Sequence, residues 1–419
     1  MPDAHASTPP AVTLDEIRAA AKRLAGRIER TPTRHSRALS AITGAEVWVK
    51  YDNHQVTGAF KERGALNRLL SLTEAERKRG VIASSAGNHA QALAHHGRAL
   101  GVPTTIVMPR GTPHVKVEQT RARGADVVLE GDSYDDAYAH ALQLRDARNF
   151  VFVHPFDDAG VIAGQGTAAL EMLEDAPDLD TLVIPIGGGG LIAGMGVAAK
   201  ALNPSIRIIG IEPSMYPSFD ARRRGDSNAN TGGLTIAEGI AVKRVGDLTF
   251  ALARDIVEEV LLIEESQFEQ AISLYVTAEK TIAEGAGAGP LAALIAHPEK
   301  FRGRKVGLML SGGNIDTRLL ASVLERSLVR EGRITMLRFI GDDRPGTLAN
   351  VSRIIGDGGA NILQVEHHRM TLSAPAKGVE FDIEIETRDA PHTLEIIAAL
   401  QAAGYPARVR DAEVFGGLI

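Results

Sequence analysis

Short runs of β-branched and other apolar residues alternate with longer stretches of helical spacing over the first three quarters of the chain. Residues 47–49, 80–83, 104–108, 125–129, 182–186, 206–211 and 305–310 are nearly continuous in Val, Ile and Leu. That is the pattern of strands covered on both faces. The stretches 89–100, 113–123, 134–145 and 165–173 space their apolar residues three and four apart and predict helices between those strands. Such alternation predicts a doubly wound, mostly parallel sheet with helices on both faces. Ligands collect beyond the carboxyl ends of strands in that architecture.

The pattern changes at residue 334. A strand (334–340), an Asp-Arg-Pro-Gly turn (343–346), a helix (347–357) and strands over 361–370 and 378–386 are followed by a helix (392–403) and a last strand (407–412). This βαββαβ order is ferredoxin-like, an antiparallel sheet with two helices on one face. The charged Arg330-Glu-Gly-Arg333 reads as a linker, so the chain divides into 1–329, 330–333 and 334–419.

Four signatures carry candidate chemistry, and the last three follow predicted strands. Lys61 lies in Thr57-Gly-Ala-Phe-Lys-Glu-Arg-Gly-Ala65, at a mainly apolar helix start. Desolvation there would lower its pKa and free a neutral amine for imine formation. The plain alternative is a surface lysine paired with Glu62 or Asp52. Ser84-Ser-Ala-Gly-Asn-His-Ala-Gln91 presents Asn88 among small residues, as a donor to a ring oxygen or simply as a turn asparagine. His89 beside it reads as a helix-start histidine. Gly187, Gly188, Gly189 and Gly190 offer successive N–H groups at a strand-to-helix turn, an anion site. The same glycines fit a dinucleotide fingerprint with Glu212 as its ribose acid, or a turn needed only for close packing. Ser311, in Leu310-Ser-Gly-Gly-Asn314, is placed to meet a pyridine nitrogen without a full charge, or to cap a helix.

Composition narrows the partners. The 419 residues carry a net charge of −6 and no basic tract, which gives no footprint for nucleic acid or an anionic membrane. A small-molecule substrate is expected. No cysteine is present, so disulfides, thiolate catalysis and cysteine-ligated metals are excluded. Residues 1–12 have no basic-then-apolar stretch, and the cytoplasm is expected. The uncharged stretch 181–199 suits a buried strand, turn and helix better than a membrane span, because of its glycines and Pro185.

Taken in order, Lys61, the asparagine loop, the four glycines and Ser311 resemble the serine/threonine dehydratase family of fold type II pyridoxal-phosphate enzymes. The resemblance spans residues 14–328 and includes His154-Pro-Phe-Asp-Asp158, Gly164-Gln-Gly-Thr167 and Glu284-Gly-Ala-Gly-Ala288. It implies two interleaved α/β subdomains and pyridoxal 5'-phosphate held as an imine on Lys61, with Phe60 packed against it. Asn88 would meet the ring oxygen, Gly187 to Gly190 the phosphate, and Ser311 the ring nitrogen. Ser85, Ala86, Gly87, Asn88 and His89 would hold the substrate carboxylate, with Glu238 and Gly239 lining the substrate side. The activity implied is β-elimination of L-threonine to 2-oxobutanoate and ammonia, and of L-serine to pyruvate. Alternatives are serine racemisation and 3-hydroxyaspartate deamination, then an NAD-binding oxidoreductase or a non-catalytic amino-acid sensor.

Three positions depart from the family pattern. Ala59 replaces a serine. Ala86 stands where racemising relatives carry a hydroxyl. Ser218 replaces an aspartate that binds a metal together with the equivalent of Glu212, and no metal is expected here. The C-terminal unit resembles an ACT domain, the amino-acid-sensing module of metabolic enzymes. That implies a homo-oligomer with an amino-acid effector at Asp343, Arg344, Pro345, Gly346, Thr347 and Leu348 together with Asn361 and Ile362.

Overall fold

A computed structural model describes residues 12–226, 232–369 and 377–410. The expectations for residues 1–11, for Met370 and for residues 411–412 lie outside them. The chain divides into two compact units at the bond between Ile315 and Asp316.

In the first unit the strands are β1 (Thr33–His35), β2 (Glu46–Tyr51), β3 (Val81–Ser84), β4 (Thr104–Met108), β5 (Asp126–Leu129), β6 (Val151–Phe152), β7 (Thr181–Pro185), β8 (Arg207–Pro213), β9 (Glu259–Ile263) and β10 (Lys305–Leu310). They form two sheets, one of six strands in the order β1-β2-β10-β7-β8-β9 and one of four in the order β5-β4-β3-β6. All pairs are parallel except β1 with β2. The chain starts in the large sheet, builds the small one from β3 to β6, and returns. The two α/β subdomains are therefore interleaved. Every side chain of β3, β4 and β7 is buried, as their unbroken apolar runs require of parallel strands. Separate apolar cores fill the two layers, one around Ile162, Met172, Ile184 and Ile192, the other around Leu69, Val81, Leu93 and Ile106.

A buried ionic network anchors the helix Lys61–Leu70. The Arg63 guanidinium grips Asp52 with bonds of 2.7 and 2.8 Å, and Glu171 of helix Ala159–Asp175 with bonds of 2.7 and 2.9 Å. Asp52 holds Arg63 firmly protonated, and Arg63 in turn keeps Asp52 below the usual carboxylate range against the effect of burial. Removing one partner would leave a buried charge uncompensated, a cost of roughly 3–5 kcal/mol. The network fixes the start of the helix where Lys61 sits.

The second unit holds β11 (Ile334–Asp342), β12 (Asn361–His368), β13 (Gly378–Glu386) and β14 (Arg408–Val409). They form an antiparallel sheet in the order β12-β13-β11-β14, the ferredoxin-like arrangement. Helices Thr347–Asp357 and Ala390–Ala402 cover one face, packing on Leu337, Phe339, Phe381 and Ile383.

The boundary differs from the expected one. Helix Thr317–Arg330, read with the first unit, groups with the second. Arg330 ends that helix and residues 331–333 form a tight turn, in which the Arg333 amide donates to the Leu328 carbonyl and the Thr387 amide to the Arg333 carbonyl. Those bonds tie the helix end to the residue that follows β13.

Candidate active site

The carboxyl ends of β3, β7 and β10 and the start of helix Lys61–Leu70 open onto one cavity of about 450 Å³. It lies between the two subdomains. Phe60, Lys61, Ser85, Ala86, Gly87, Asn88, His89, Gly187, Gly188, Gly189, Gly190, Glu238, Gly239 and Ser311 all line it. The structure thus brings every site residue expected in the first unit to one place.

Lys61 Nζ donates to the Pro155 carbonyl at 2.7 Å and lies 5.1 Å from the Phe60 ring centre. Burial lowers its pKa to about 8, with the Glu284 carboxylate acting in the opposite sense. Neither partner of the surface alternative reaches it, because Asp52 is held by Arg63 and Glu62 by the Thr57 amide and His96. The Lys61 loop is stitched to the serine loop: the Phe60 amide donates to the Ser311 carbonyl at 2.9 Å, and Ala59 pairs with Gly312.

Helix Gly190–Leu202 begins at the glycine run, so its first N–H groups face the cavity. A Cβ on Gly188 would lie 2.2 Å from the Phe156 ring, and Gly189 has a φ of +91°. Side chains are barred from the turn on both counts, which leaves bare backbone as an anion cradle. Thr249 Oγ1 donates to the Gly188 carbonyl at 2.7 Å.

Glu212 does not line this cavity. Its two oxygens accept the amides of Phe219 and Asp220 at 2.7 and 3.0 Å, at the start of helix Ser218–Arg224. Burial raises it to about 8 against those bonds. The alternative ribose-acid role of Glu212 finds no support here, because the side chain is turned into the protein to satisfy helix amides. His89 is buried, its Nε2 meets the Val153 carbonyl at 3.1 Å, and burial lowers it to about 3, so it stays neutral.

Sequence reasoning left several groups without a role. Phe156 packs against the glycine turn, and Tyr134, Asp135 and Glu284 line the cavity. Burial raises Glu284 to about 7, and it accepts an N–H from Asn88 at 2.8 Å. Phe156 and Glu284 fall inside quoted motifs, but a sequence does not show which side chains converge.

In the second unit, Arg344 and Thr347 line a cavity of about 570 Å³ with Lys377 and Tyr405. Asp343, Pro345, Gly346 and Leu348 adjoin it in sequence. Asn361 and Ile362 pair with Glu386 and Ile385, at the opposite end of β13 from Gly378, which lines the cavity. Within one unit the turn and these two residues lie at opposite ends of the sheet, because antiparallel pairing sends them there, and a site that uses both would have to form between paired units.

A parallel α/β scaffold with a lysine, an asparagine, a bare glycine turn and a serine around one cavity defines a pyridoxal-phosphate enzyme of fold type II. The family described as pyridoxal-phosphate dependent enzyme matches residues 11–312, and the ACT domain matches residues 335–402. The chain belongs to the pyridoxal-phosphate-dependent enzyme family and carries an ACT domain. It is 43% identical over 399 residues to the L-threonine ammonia-lyase of Thermotoga maritima, covering 95% of this chain and 99% of that one. Among solved structures, maize serine racemase superposes with a TM-score of 0.70 at 34% identity, over 76% of this chain and 98% of that one. The processed form of threonine deaminase isoform 2 from Solanum lycopersicum gives 0.69 at 35% identity, over 74% of this chain and 86% of that one. Among the described residues no helix is long and apolar enough to cross a membrane. The stretch 181–199 forms β7, the glycine turn and most of the helix that follows.

Proposed function

We propose that the chain deaminates L-threonine to 2-oxobutanoate and ammonium by β-elimination, and L-serine to pyruvate more slowly. The observation that carries this reading is the Lys61 amine, depressed to about 8 and set where the asparagine, glycine and serine loops meet. The near full-length likeness to the Thermotoga maritima ammonia-lyase supports it.

The residues present fit the cofactor. Lys61 is the attachment point for its aldehyde and Phe60 a wall beside the ring. The bare N–H groups of Gly187 to Gly190 suit a phosphate, Asn88 the ring oxygen, and Ser311 the ring nitrogen. Bound pyridoxal phosphate supplies an electron sink for the Cα electron pair. Ser311 can hydrogen-bond the ring nitrogen without fixing a charge on it, which keeps that sink weak and favours prompt loss of the β-hydroxyl.

The loop Ser85 to His89 binds the substrate carboxylate, with Glu238 and Gly239 bounding the substrate side. With its amine free, Lys61 would remove the Cα proton of the bound substrate. The β-hydroxyl departs with the C–O electron pair and one proton as water. The 2-aminocrotonate released from threonine then takes up water and yields 2-oxobutanoate and ammonium. Ala86 offers no proton to the opposite face of Cα, which weighs against racemisation.

The ACT unit serves as an amino-acid effector site around Arg344 and Thr347, in a cytoplasmic homo-oligomer. Product assays with L-threonine, L-serine and 3-hydroxyaspartate test the reading, with D-serine measured alongside. Release of 2-oxobutanoate with the highest kcat/KM for threonine is expected, and its absence overturns the assignment.

A further inference from the structure

Glu284 and Asn314 lie between the loops that shape the cavity, and the catalytic scheme uses neither. Asn314 Nδ2 donates to the Thr57 carbonyl at 2.7 Å and to Asn88 Oδ1 at 2.8 Å. Asn88 Nδ2 donates to Glu284 Oε1 at 2.8 Å. The polarity of this chain follows from its first member. A backbone carbonyl only accepts, so the Asn314 atom beside Thr57 is its nitrogen, and the Asn88 atom facing that nitrogen must be an oxygen. The Asn88 nitrogen is therefore turned to Glu284. It has two hydrogens, and one is committed to the carboxylate.

The place for the carboxylate is built. A Cβ on Gly312 would lie 2.5 Å from Glu284 Oε1, and the Glu284 amide donates to the Gly312 carbonyl at 3.0 Å. The sequence separations are 196 residues for Asn88–Glu284 and 226 for Asn88–Asn314, so the chain draws on distant segments to orient one amide.

We propose that Glu284 and Asn314 are positioning residues that lock the Asn88 side-chain amide in one of its two orientations, keeping its second N–H free for the cofactor's ring oxygen. The inference rests on the reading that Asn88 meets that oxygen. With Glu284 ionised, a flipped Asn88 would set its oxygen against the Glu284 carboxylate and its nitrogen against the Asn314 nitrogen, two repulsive contacts in place of two bonds. The lock also explains why Glu284 belongs in the cavity wall although it reaches no reacting atom in the scheme above.

The test is equilibrium binding of pyridoxal phosphate and the visible spectrum of the holoenzyme, for variants shown by circular dichroism to be folded. Asn88→Ala and Glu284→Ala should each weaken cofactor binding by about tenfold, the scale of one hydrogen bond to a charged group. Asn314→Asp keeps the size but removes both N–H donors, and should weaken binding to the same extent. Glu284→Gln can still accept from Asn88 through its carbonyl oxygen, and should stay within about threefold of wild type. Glu284→Ala added to Asn88→Ala should cost nothing more, because the pair acts as one unit. If Asn88→Ala leaves affinity and spectrum unchanged, Asn88 is not a cofactor contact and the premise falls. If Asn88→Ala weakens binding while Glu284→Ala and Asn314→Asp do not, the premise stands and the lock is overturned. A Glu284→Gln variant as weak as Glu284→Ala also overturns it.

Discussion

The Phe60 amide donates to the Ser311 carbonyl at 2.9 Å, across 251 positions of sequence. This bond joins the loop that presents the Lys61 amine to the loop that presents the Ser311 hydroxyl, and the Ala59–Gly312 bridge doubles it. The two groups are thus fixed relative to each other before any ligand arrives. Binding energy need not be spent on aligning them.

Loss of Lys61 is the most severe single change expected. Lys61→Ala removes the attachment point and the Cα base together, and the other amine that lines the cavity, Lys243, belongs to an exposed side chain rather than to the buried site beside Phe60 and Pro155. Release of 2-oxobutanoate from threonine should fall by more than about 10³-fold. Wild-type ammonia release from the variant would refute the proposed mechanism.

The lowered pKa of Lys61 sets a pH dependence for reconstitution. Attachment requires the neutral amine, and burial brings the Lys61 value from 10.5 to about 8. As pH falls through 8 the amine gains a proton and becomes unreactive. The rate at which apoprotein takes up pyridoxal phosphate should therefore climb with pH and level off just above 8. A rate still climbing tenfold per unit between pH 9 and 10 would show an amine of ordinary basicity.

The glycine turn should tolerate no side chain. Gly188→Ala places a methyl group 2.2 Å from the Phe156 ring, and the Phe156 backbone and Cβ are packed against Gly190, so the ring has little room to retreat. Overpacking of this kind costs about 1–3 kcal/mol, and here it would push out of shape the turn proposed to cradle the phosphate. Cofactor affinity should drop by about tenfold, with kcat at saturating cofactor much less affected. Titration of apoprotein with pyridoxal phosphate separates the two effects.

What the sequence made legible, and what it hid, divides by how many neighbours an element has. Strands 104–108, 305–310 and 378–386 and helix 347–357 were readable to the residue, because β4, β10 and β13 have partners on both sides and carry unbroken or strictly alternating apolar patterns. The three strands missed, β1, β6 and β9, are all edge strands. An edge is paired on one side only, so Thr33-Arg-His35 can be polar and Val151–Phe152 can be two residues long without cost to the core. The site was legible wherever chemistry demanded a residue type, as at Lys61 and the glycine run. Glu284 and Thr249 were hidden because a hydrogen bond to a group far away in sequence leaves no local pattern. Glu212 stayed open between two readings because an acid after a strand can serve a ligand or a helix start equally well.

Elimination should dominate over racemisation. Racemisation needs an acid on the face of Cα opposite Lys61, and the small apolar Ala86 has no proton to supply there. From L-serine, pyruvate should exceed D-serine by at least about tenfold. Chiral chromatography of the reaction mixture checks this, and comparable yields would point to a proton donor elsewhere in the cavity.

Regulation gives the last prediction. The Asp-Arg-Pro-Gly turn leads into helix Thr347–Asp357, and its Arg344 side chain borders the cavity of about 570 Å³ beside Lys377. The Arg344 guanidinium is paired with Asp342 at 3.1 Å in the same wall, and with the Lys377 ammonium beside it the rim offers both signs of charge that a free amino acid carries. Branched-chain amino acids should therefore change the threonine KM of the full-length enzyme, and Arg344→Ala should abolish that response while leaving the kinetics without effector unchanged. Reciprocity supplies a second check: if the effector changes threonine affinity by some factor, threonine must change effector affinity by the same factor. Titration calorimetry with and without a competitive substrate analogue measures it. Should no amino acid alter the threonine kinetics, the ACT unit has a structural role only, and the cavity beside Arg344 is not an effector site.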